Sequence, residues 1–151
     1  MASKLCLLVR QTEEEAQESV NQAKQAKLVF DGGVTHLPRP ESLRDGCRDR
    51  PVSLPDTNRS LIESYIKAGN RRIGLLKTEG RRTLSLGKSL YMSKHVHDLQ
   101  YHGINANISY CFVRGKVTPQ QKLSLRPYNC WVVINKETGQ FLSAECSCIV
   151  G

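Results

Sequence analysis

Residues 129–146 read NCWVVINKETGQFLSAEC, and the pattern of this stretch decides the predicted fold. Its first part, residues 129–135, is rich in β-branched and aromatic side chains, which is typical of a strand. Residues 136–139 predict a turn, because Gly139 can adopt a positive φ without steric cost. Residues 140–146 then return as the neighbouring strand. The stretch therefore predicts a β-hairpin that ends on a cysteine.

The residues before this hairpin predict further strands. Residues 108–117 alternate in character, so that Cys111 and Phe112 lie on opposite faces of one strand. Shorter runs at residues 89–92 and 95–104 also have the composition of strands. Together with the hairpin, these runs predict an antiparallel β-meander of three or four strands.

One helix is predicted ahead of the meander, over residues 58–68. Its apolar side chains fall on one face, and Gly69 follows as a C-terminal stop. Further glycines after it argue against a long continuous helix. The predicted fold class is therefore α+β, with one helix preceding a small antiparallel meander in a domain over residues 57–151.

The N-terminal third predicts little globular structure. A helix is expected over residues 12–27, where Thr12 and Glu15 form a capping box. Residues 34–56 hold four of the six prolines and predict a disordered linker, in which Cys47 is an ordinary free thiol. The predicted organisation is an isolated helix in residues 1–33, a linker in 34–56 and the α+β domain in 57–151.

Positive charge is concentrated in one segment of the chain. Of a net charge of +8, residues 67–94 contribute eight basic side chains against the single acid Glu79. Two interpretations stay open: contact with nucleic-acid phosphates, which releases counterions, or a solvated surface. The candidate nucleic-acid contacts are Arg71, Arg72, Lys77, Arg81, Arg82 and Lys88.

The pair Cys146-Ser147-Cys148 is the most chemically suggestive motif. No apolar run is long enough for a membrane span and the first ten residues make a poor signal sequence, so we expect an intracellular protein. In that compartment cysteines more often bind metal or stay free than form disulfides. Extended-strand Cα atoms two residues apart are separated by about 6.6 to 7 Å, whereas zinc needs its sulfurs about 3.8 Å apart. The chain must therefore curl after Cys146 if both thiolates are to share one ion.

Two thiolates supply only half of a four-coordinate zinc shell, and from residue type alone such a pair is a weak signal that more often means two inert thiols. His95 and His97 have the same spacing and are second-choice donors; the interpretation we favour for them is half-exposed strand histidines. Cys111 and Cys130 sit among apolar residues, so we expect both to be small buried side chains rather than ligands.

The combination of the C-x-C pair with the residues before it matches a known pattern. The matching residues are Ile108-Ser109-Tyr110, Val113–Val117 with Pro119, Pro127-Tyr128, Trp131-Val132, Gly139, Ala144, Cys146 and Cys148, with Gly87–Tyr91 and His95-Val96 as the lead-in. Through these residues, much of residues 57–151 resembles the SWIM-type zinc finger. The similarity is closest to the animal version, often derived from mobile elements, that precedes a nuclease-like domain of the YqaJ viral recombinase type.

The resemblance implies zinc as the cofactor and a ligand pattern of C-x-C, a spacer and C-x-H. Only Cys146 and Cys148 carry over, because the chain stops at Gly151 before the second pair, and the predicted zinc knuckle is incomplete within it. Glu145 stands where relatives commonly have a histidine, a change that concerns the surroundings of the ligands. No nuclease domain follows, so no nuclease activity carries over.

We expect a non-catalytic zinc-ion-binding module that holds DNA or another protein, with a nuclear setting implied by the resemblance. No membrane contact and no small-molecule substrate are predicted. An enzyme is not expected, because no nucleophile comes with an orienting partner and no acidic cluster could hold magnesium. The alternative is a truncated fragment of a SWIM–nuclease fusion protein, with no tight metal site and no independent activity.

Overall fold

The computed structural model describes residues 2–44, 54–72, 77–120 and 126–148, with side chains described outside residues 2–12, 70–72 and 77–81. Cys47, which the sequence predicts as a free thiol, lies outside the described residues. The chain divides into two compact units, Met1–Ser42 and Leu43–Gly151. Each unit has its own secondary-structure elements and its own buried residues.

The first unit joins a long helix to a small hairpin. Helix α1 spans Ala2–Ala26 and strand β1 spans Val29–Phe30; a 3₁₀ turn at Asp31–Gly33 leads to β2, Thr35–His36, and a second 3₁₀ turn follows at Pro40–Ser42. The two strands are antiparallel. Leu28 and Leu37 are buried on either side of the hairpin, and the Leu37 amide donates to the Leu28 carbonyl at 2.9 Å.

Both N-terminal predictions differ in extent from the structure. Helix α1 begins at Ala2 rather than near Thr12, because residues 2–26 contain neither glycine nor proline and nothing interrupts helical hydrogen bonding. Part of the segment predicted as linker is ordered, since Leu37 is an apolar residue that buries beside Leu28. Residues 45–53 of that segment lie outside the described residues.

The second unit begins with two helices that pack on each other. Helix α2 spans Arg59–Arg72 and α3 spans Lys77–Met92. The side chain of Asn58 caps α2 by accepting the Leu61 amide at 3.1 Å. No helix in the described ranges combines the length and the apolar character needed to cross a membrane.

Two helices precede the sheet where the sequence predicts one, and two further details of the predicted secondary structure were wrong. Gly69 does not end α2, which runs on to Arg72, and the run 89–92 is the last turn of α3 rather than a strand. A glycine inside a helix costs only about 1 kcal/mol, which the packing of α2 against α3 can offset. Four residues are also too few to distinguish a helical period from a strand period.

Four strands follow and form one antiparallel sheet: β3 Val96–His102, β4 Tyr110–Val117, β5 Tyr128–Asn135 and β6 Phe141–Cys146. Each strand pairs with its sequence neighbour, so the order is β3-β4-β5-β6. The predicted α+β class with a small antiparallel meander is therefore confirmed.

The core of this unit lies on the two central strands. Cys111, Phe112, Val133 and Ile134 are at most 2% exposed, and Phe112 meets Trp131 edge-on with ring centroids 6.0 Å apart. Neighbouring residues on a strand face opposite ways, so burial of both Cys111 and Phe112 means that both sheet faces are covered here. Pairing with β5 positions β6 against this buried centre of the sheet.

Candidate metal centre

The chain curls where β6 ends, as shared metal ligation requires. Strand β6 stops at Cys146, and residues 147–148 form a bend. The Cys148 amide donates a hydrogen bond to the Cys146 sulfur at 3.2 Å, and the two thiols interact directly. An N–H group aimed at a sulfur stabilises its thiolate form. Cys146 and Cys148 are therefore brought together, with one sulfur already supplied with a donor.

Ser147 holds this bend against the neighbouring strand. Its amide donates to the Asn129 carbonyl at 2.8 Å, and its hydroxyl accepts the Asn129 amide at 2.8 Å. The Ser147 hydroxyl thus takes the place of the main-chain carbonyl that would accept the Asn129 amide in regular strand pairing. These two hydrogen bonds hold the backbone between Cys146 and Cys148 against strand β5.

The sequence predicts Cys130 as a small buried side chain rather than a ligand, and the structure places it beside the two candidate ligands. It lies on β5 directly opposite Cys146, and its thiol interacts with those of both Cys146 and Cys148. Cys130 is only half-buried, unlike Cys111, which is fully buried in the core and donates to the Ile134 carbonyl at 3.4 Å. We call Cys130, Cys146 and Cys148 the thiol cluster.

Counting residues outward from the hairpin turn would not predict that Cys130 lies opposite Cys146. Ile134 pairs with Phe141, but Val133 pairs with Ser143, so Leu142 is an extra residue that forms a bulge on β6. Without the bulge, the same count would set Cys130 opposite Glu145. A shift of one residue moves every following side chain to the other face, and the sequence shows no signal for it.

The electrostatics of the thiol cluster favour protonated sulfur in the free protein. Burial raises the pKa of Cys146 to about 12, with the Cys148 thiol next in effect and the Cys148 amide acting in the opposite direction. Burial also raises the pKa of Cys130. A metal ion must therefore displace protons to be held here, as cysteine ligation always requires of thiols near neutral pH.

Glu145 faces away from the thiol cluster. It pairs with Trp131 on the neighbouring strand, one position before the pairing of Cys130 with Cys146. Successive strand residues point to opposite faces, so this carboxylate lies on the other side of the sheet from the cysteines.

His95 and His97 lie at the far edge of the sheet. The His95 ring is 2.9 Å from the Thr118 carbonyl oxygen, and the His97 ring is 3.0 Å from the Thr118 hydroxyl and 3.5 Å from Asp98. Strands β4 and β5 separate His97 from the cysteine end of β6, three inter-strand steps of about 4.8 Å each. Zinc donors lie within about 4 Å of one another, so these histidines are not brought to the thiol cluster.

The basic segment, residues 67–94, lies on α2 and α3. Lys67, Arg82 and Lys88 have exposed side chains. Arg71, Arg72, Lys77 and Arg81 fall in helical positions whose side chains are not described. Residues 67–72 and 77–92 of the segment are therefore helical, and its described basic side chains are open to solvent.

Among the described residues, no three histidine, cysteine, aspartate or glutamate side chains are arranged around one metal ion. The thiol cluster therefore supplies two adjacent sulfurs that suit zinc and a third nearby, without a complete shell. Comparisons with models of protein families, with curated proteins and with solved structures found no match.

Proposed function

We propose that this chain is a non-catalytic zinc-ion-binding module, in which Cys146 and Cys148 hold the ion and the module binds nucleic acid or another protein. The observation that carries the proposal is the pairing of these thiols at a bend, with the Cys148 amide directed at the Cys146 sulfur. Soft thiolate sulfur is a preferred ligand of zinc, and bound zinc would fix the bend.

The remaining ligands come from outside the described residues in this proposal. Two thiolates are half of the usual structural shell, and the resemblance to SWIM-type fingers implies a C-x-H pair as the other half. A nuclear, nucleic-acid-associated setting belongs to the same proposal. The basic segment would supply phosphate contacts from α2 and α3, where Arg82 and Lys88 are exposed.

Zinc content of the purified full chain tests this proposal. Because the chain supplies only the Cys146 and Cys148 half of the shell, the measurement is made with free zinc present: we expect one zinc per chain at neutral pH after dialysis against a few micromolar zinc, measured by elemental analysis. Cys146→Ser should lose the metal, because a half shell with one sulfur removed retains little binding free energy. Cys111→Ser is the matched control and should keep it, since that thiol lies in the core and away from the bend.

The competing hypothesis is the fragment without a tight metal site. A folded wild-type chain that carries no zinc after dialysis against a few micromolar zinc would support that hypothesis and overturn ours. Circular dichroism of each variant distinguishes loss of metal from loss of fold.

A further inference from the structure

The register of β5 and β6 places the thiols of Cys130 and Cys146 directly opposite each other, in a position suited to a disulfide bond. Asn129 and Ser147 exchange hydrogen bonds, one to the Asn129 carbonyl and one to the Ser147 hydroxyl. In an antiparallel ladder, hydrogen-bonded and non-hydrogen-bonded pairs alternate. The next pair, Cys130 opposite Cys146, is therefore a non-hydrogen-bonded pair.

Non-hydrogen-bonded pairs bring side chains closest together. Their Cα atoms are about 4.5 Å apart, which is inside the range of about 4.4 to 6.8 Å found for disulfides. Their Cβ atoms lie about 4.5 to 5.5 Å apart, against about 3.5 to 4.5 Å in a disulfide, so a small approach of the strands completes the bond. The interaction of the two thiols agrees with this placement.

We propose that Cys130 and Cys146 form a reversible cross-strand disulfide, with a low-molecular-weight disulfide such as glutathione disulfide as the oxidant. One cysteine thiolate attacks a glutathione sulfur; the glutathione S–S bond breaks, and the departing glutathione thiolate takes up the proton. The second cysteine thiolate attacks the protein sulfur of the mixed disulfide, and a second glutathione thiol leaves. Two protein thiols are oxidised and one glutathione disulfide is reduced to two thiols.

Cys148 is the less suitable partner for Cys146. A bridge between these two residues would close a very small ring across Ser147. It would also take the Cys146 sulfur away from the Cys148 amide, which donates to it at 3.2 Å. A bridge to Cys130 instead joins two strands whose separation the ladder already fixes.

The proposed disulfide depends on the register of β5 and β6, whereas its effect on metal binding rests on the proposed function. Metal binds the thiolate and not a disulfide sulfur, so one Cys146 sulfur cannot serve both. Oxidation would then release zinc, and bound zinc would protect Cys146 from oxidation. The thiol cluster would act as a site where metal and disulfide exclude each other.

Peptide mapping of the full chain tests the disulfide. The reduced protein in chelator is treated with glutathione disulfide, free thiols are alkylated, and an unreduced tryptic digest is analysed by mass spectrometry. Cleavage after Lys122 and Lys136 places Cys130 in one peptide and both Cys146 and Cys148 in the other. Since burial raises the pKa of Cys130 and Cys146, mildly alkaline buffer speeds the reaction.

We expect a cross-linked pair of these peptides that is lost in Cys130→Ser and Cys146→Ser and kept in Cys148→Ser and Cys111→Ser. A bridge confined to the peptide with Cys146 and Cys148 would overturn the proposal, as would glutathione adducts alone. Where a variant does not fold, a second measurement on the wild-type protein takes its place. In urea the yield of the wild-type cross-link should fall at least about fivefold, because unfolding removes the strand pairing that holds the two thiols close together. Equal yields in urea would also overturn it.

A parallel reaction with one equivalent of zinc and no chelator separates this proposal from the metal proposal. We expect zinc to slow the cross-link about tenfold or more, because a bound thiolate is withheld from attack. A cross-link that forms at the same rate with zinc would support the disulfide and contradict ligation of zinc by Cys146.

Discussion

The sulfur of Cys146 interacts with groups of two other cysteines. It accepts the Cys148 amide, interacts with the Cys148 thiol and lies opposite Cys130 on the next strand. Partial burial keeps it protonated in the free protein, whereas a directed N–H group favours its thiolate.

The pH dependence of zinc binding follows from the Cys146 pKa. That pKa is raised to about 12, so at neutral pH each binding event must displace the Cys146 proton. Protons compete with zinc, and the apparent affinity should therefore rise with pH, by at least about tenfold per pH unit between about pH 6 and pH 8. Zinc titration against a competing chelator at several pH values measures the slope.

Cys111→Ser is the control for this slope and should leave it unchanged. An apparent affinity that stays constant across the range would mean that no buried thiol loses a proton to the metal, and Cys146 would then be ruled out as a ligand.

At the scale of elements, the hairpin turn and the bulge beside it decide what the site contains. The Asn135 side chain accepts the amides of Glu137 and Thr138, and Gly139 closes the turn with a φ of 68°. The place of this turn could be predicted, because Gly139 lies between two strand-like runs and can adopt the positive φ that a turn requires. The neighbouring bulge at Leu142 could not be predicted from the sequence.

The same contrast separates what could be predicted of the site from what could not. The adjacency of Cys146 and Cys148 follows from their spacing, and the bend between them follows from the distance that shared ligation requires. Cys130 enters only because the extra residue Leu142 changes the register, and a bulge depends on packing between strands rather than on local composition. Likewise, residues 89–92 became helix because α3 packs on α2.

Gly139 provides a test of the turn. An added Cβ would meet the backbone carbonyl of Asp56 and would also occupy a conformation that L-residues rarely adopt. We expect Gly139→Ala to lower the free energy of unfolding by about 2 kcal/mol or more, since the obstacle is main chain and cannot rotate away. Urea denaturation measures the change.

Gly87→Ala is the matched control. Gly87 lies within α3 with open space around an added Cβ, so this change should raise the free energy of unfolding by up to about 1 kcal/mol. If both alanine variants were equally stable, the close approach of Asp56 to the turn would be contradicted.

At the scale of the whole molecule, the thiol cluster and most of the net charge lie in different elements of the second unit. Residues 67–94 carry a net charge of +7 of the chain's +8, and they include the C-terminal part of α2 and all of α3. The thiol cluster lies at the ends of β5 and β6. A bound ion would therefore order the sheet end, and attraction to a polyanion would come from the helices.

This separation gives the last prediction, on nucleic-acid binding. Arg82→Glu with Lys88→Glu should weaken binding of duplex DNA and lower the slope of log affinity against log salt by about 2, since each lost phosphate contact lowers it by about 1. Arg44→Glu with Arg126→Glu makes the same change in net charge at exposed positions outside the segment and should leave the slope nearly unaltered. Fluorescence anisotropy at several salt concentrations measures both slopes. Equal losses in the two double variants would show that net charge alone attracts DNA, and a helical contact surface would then have no support.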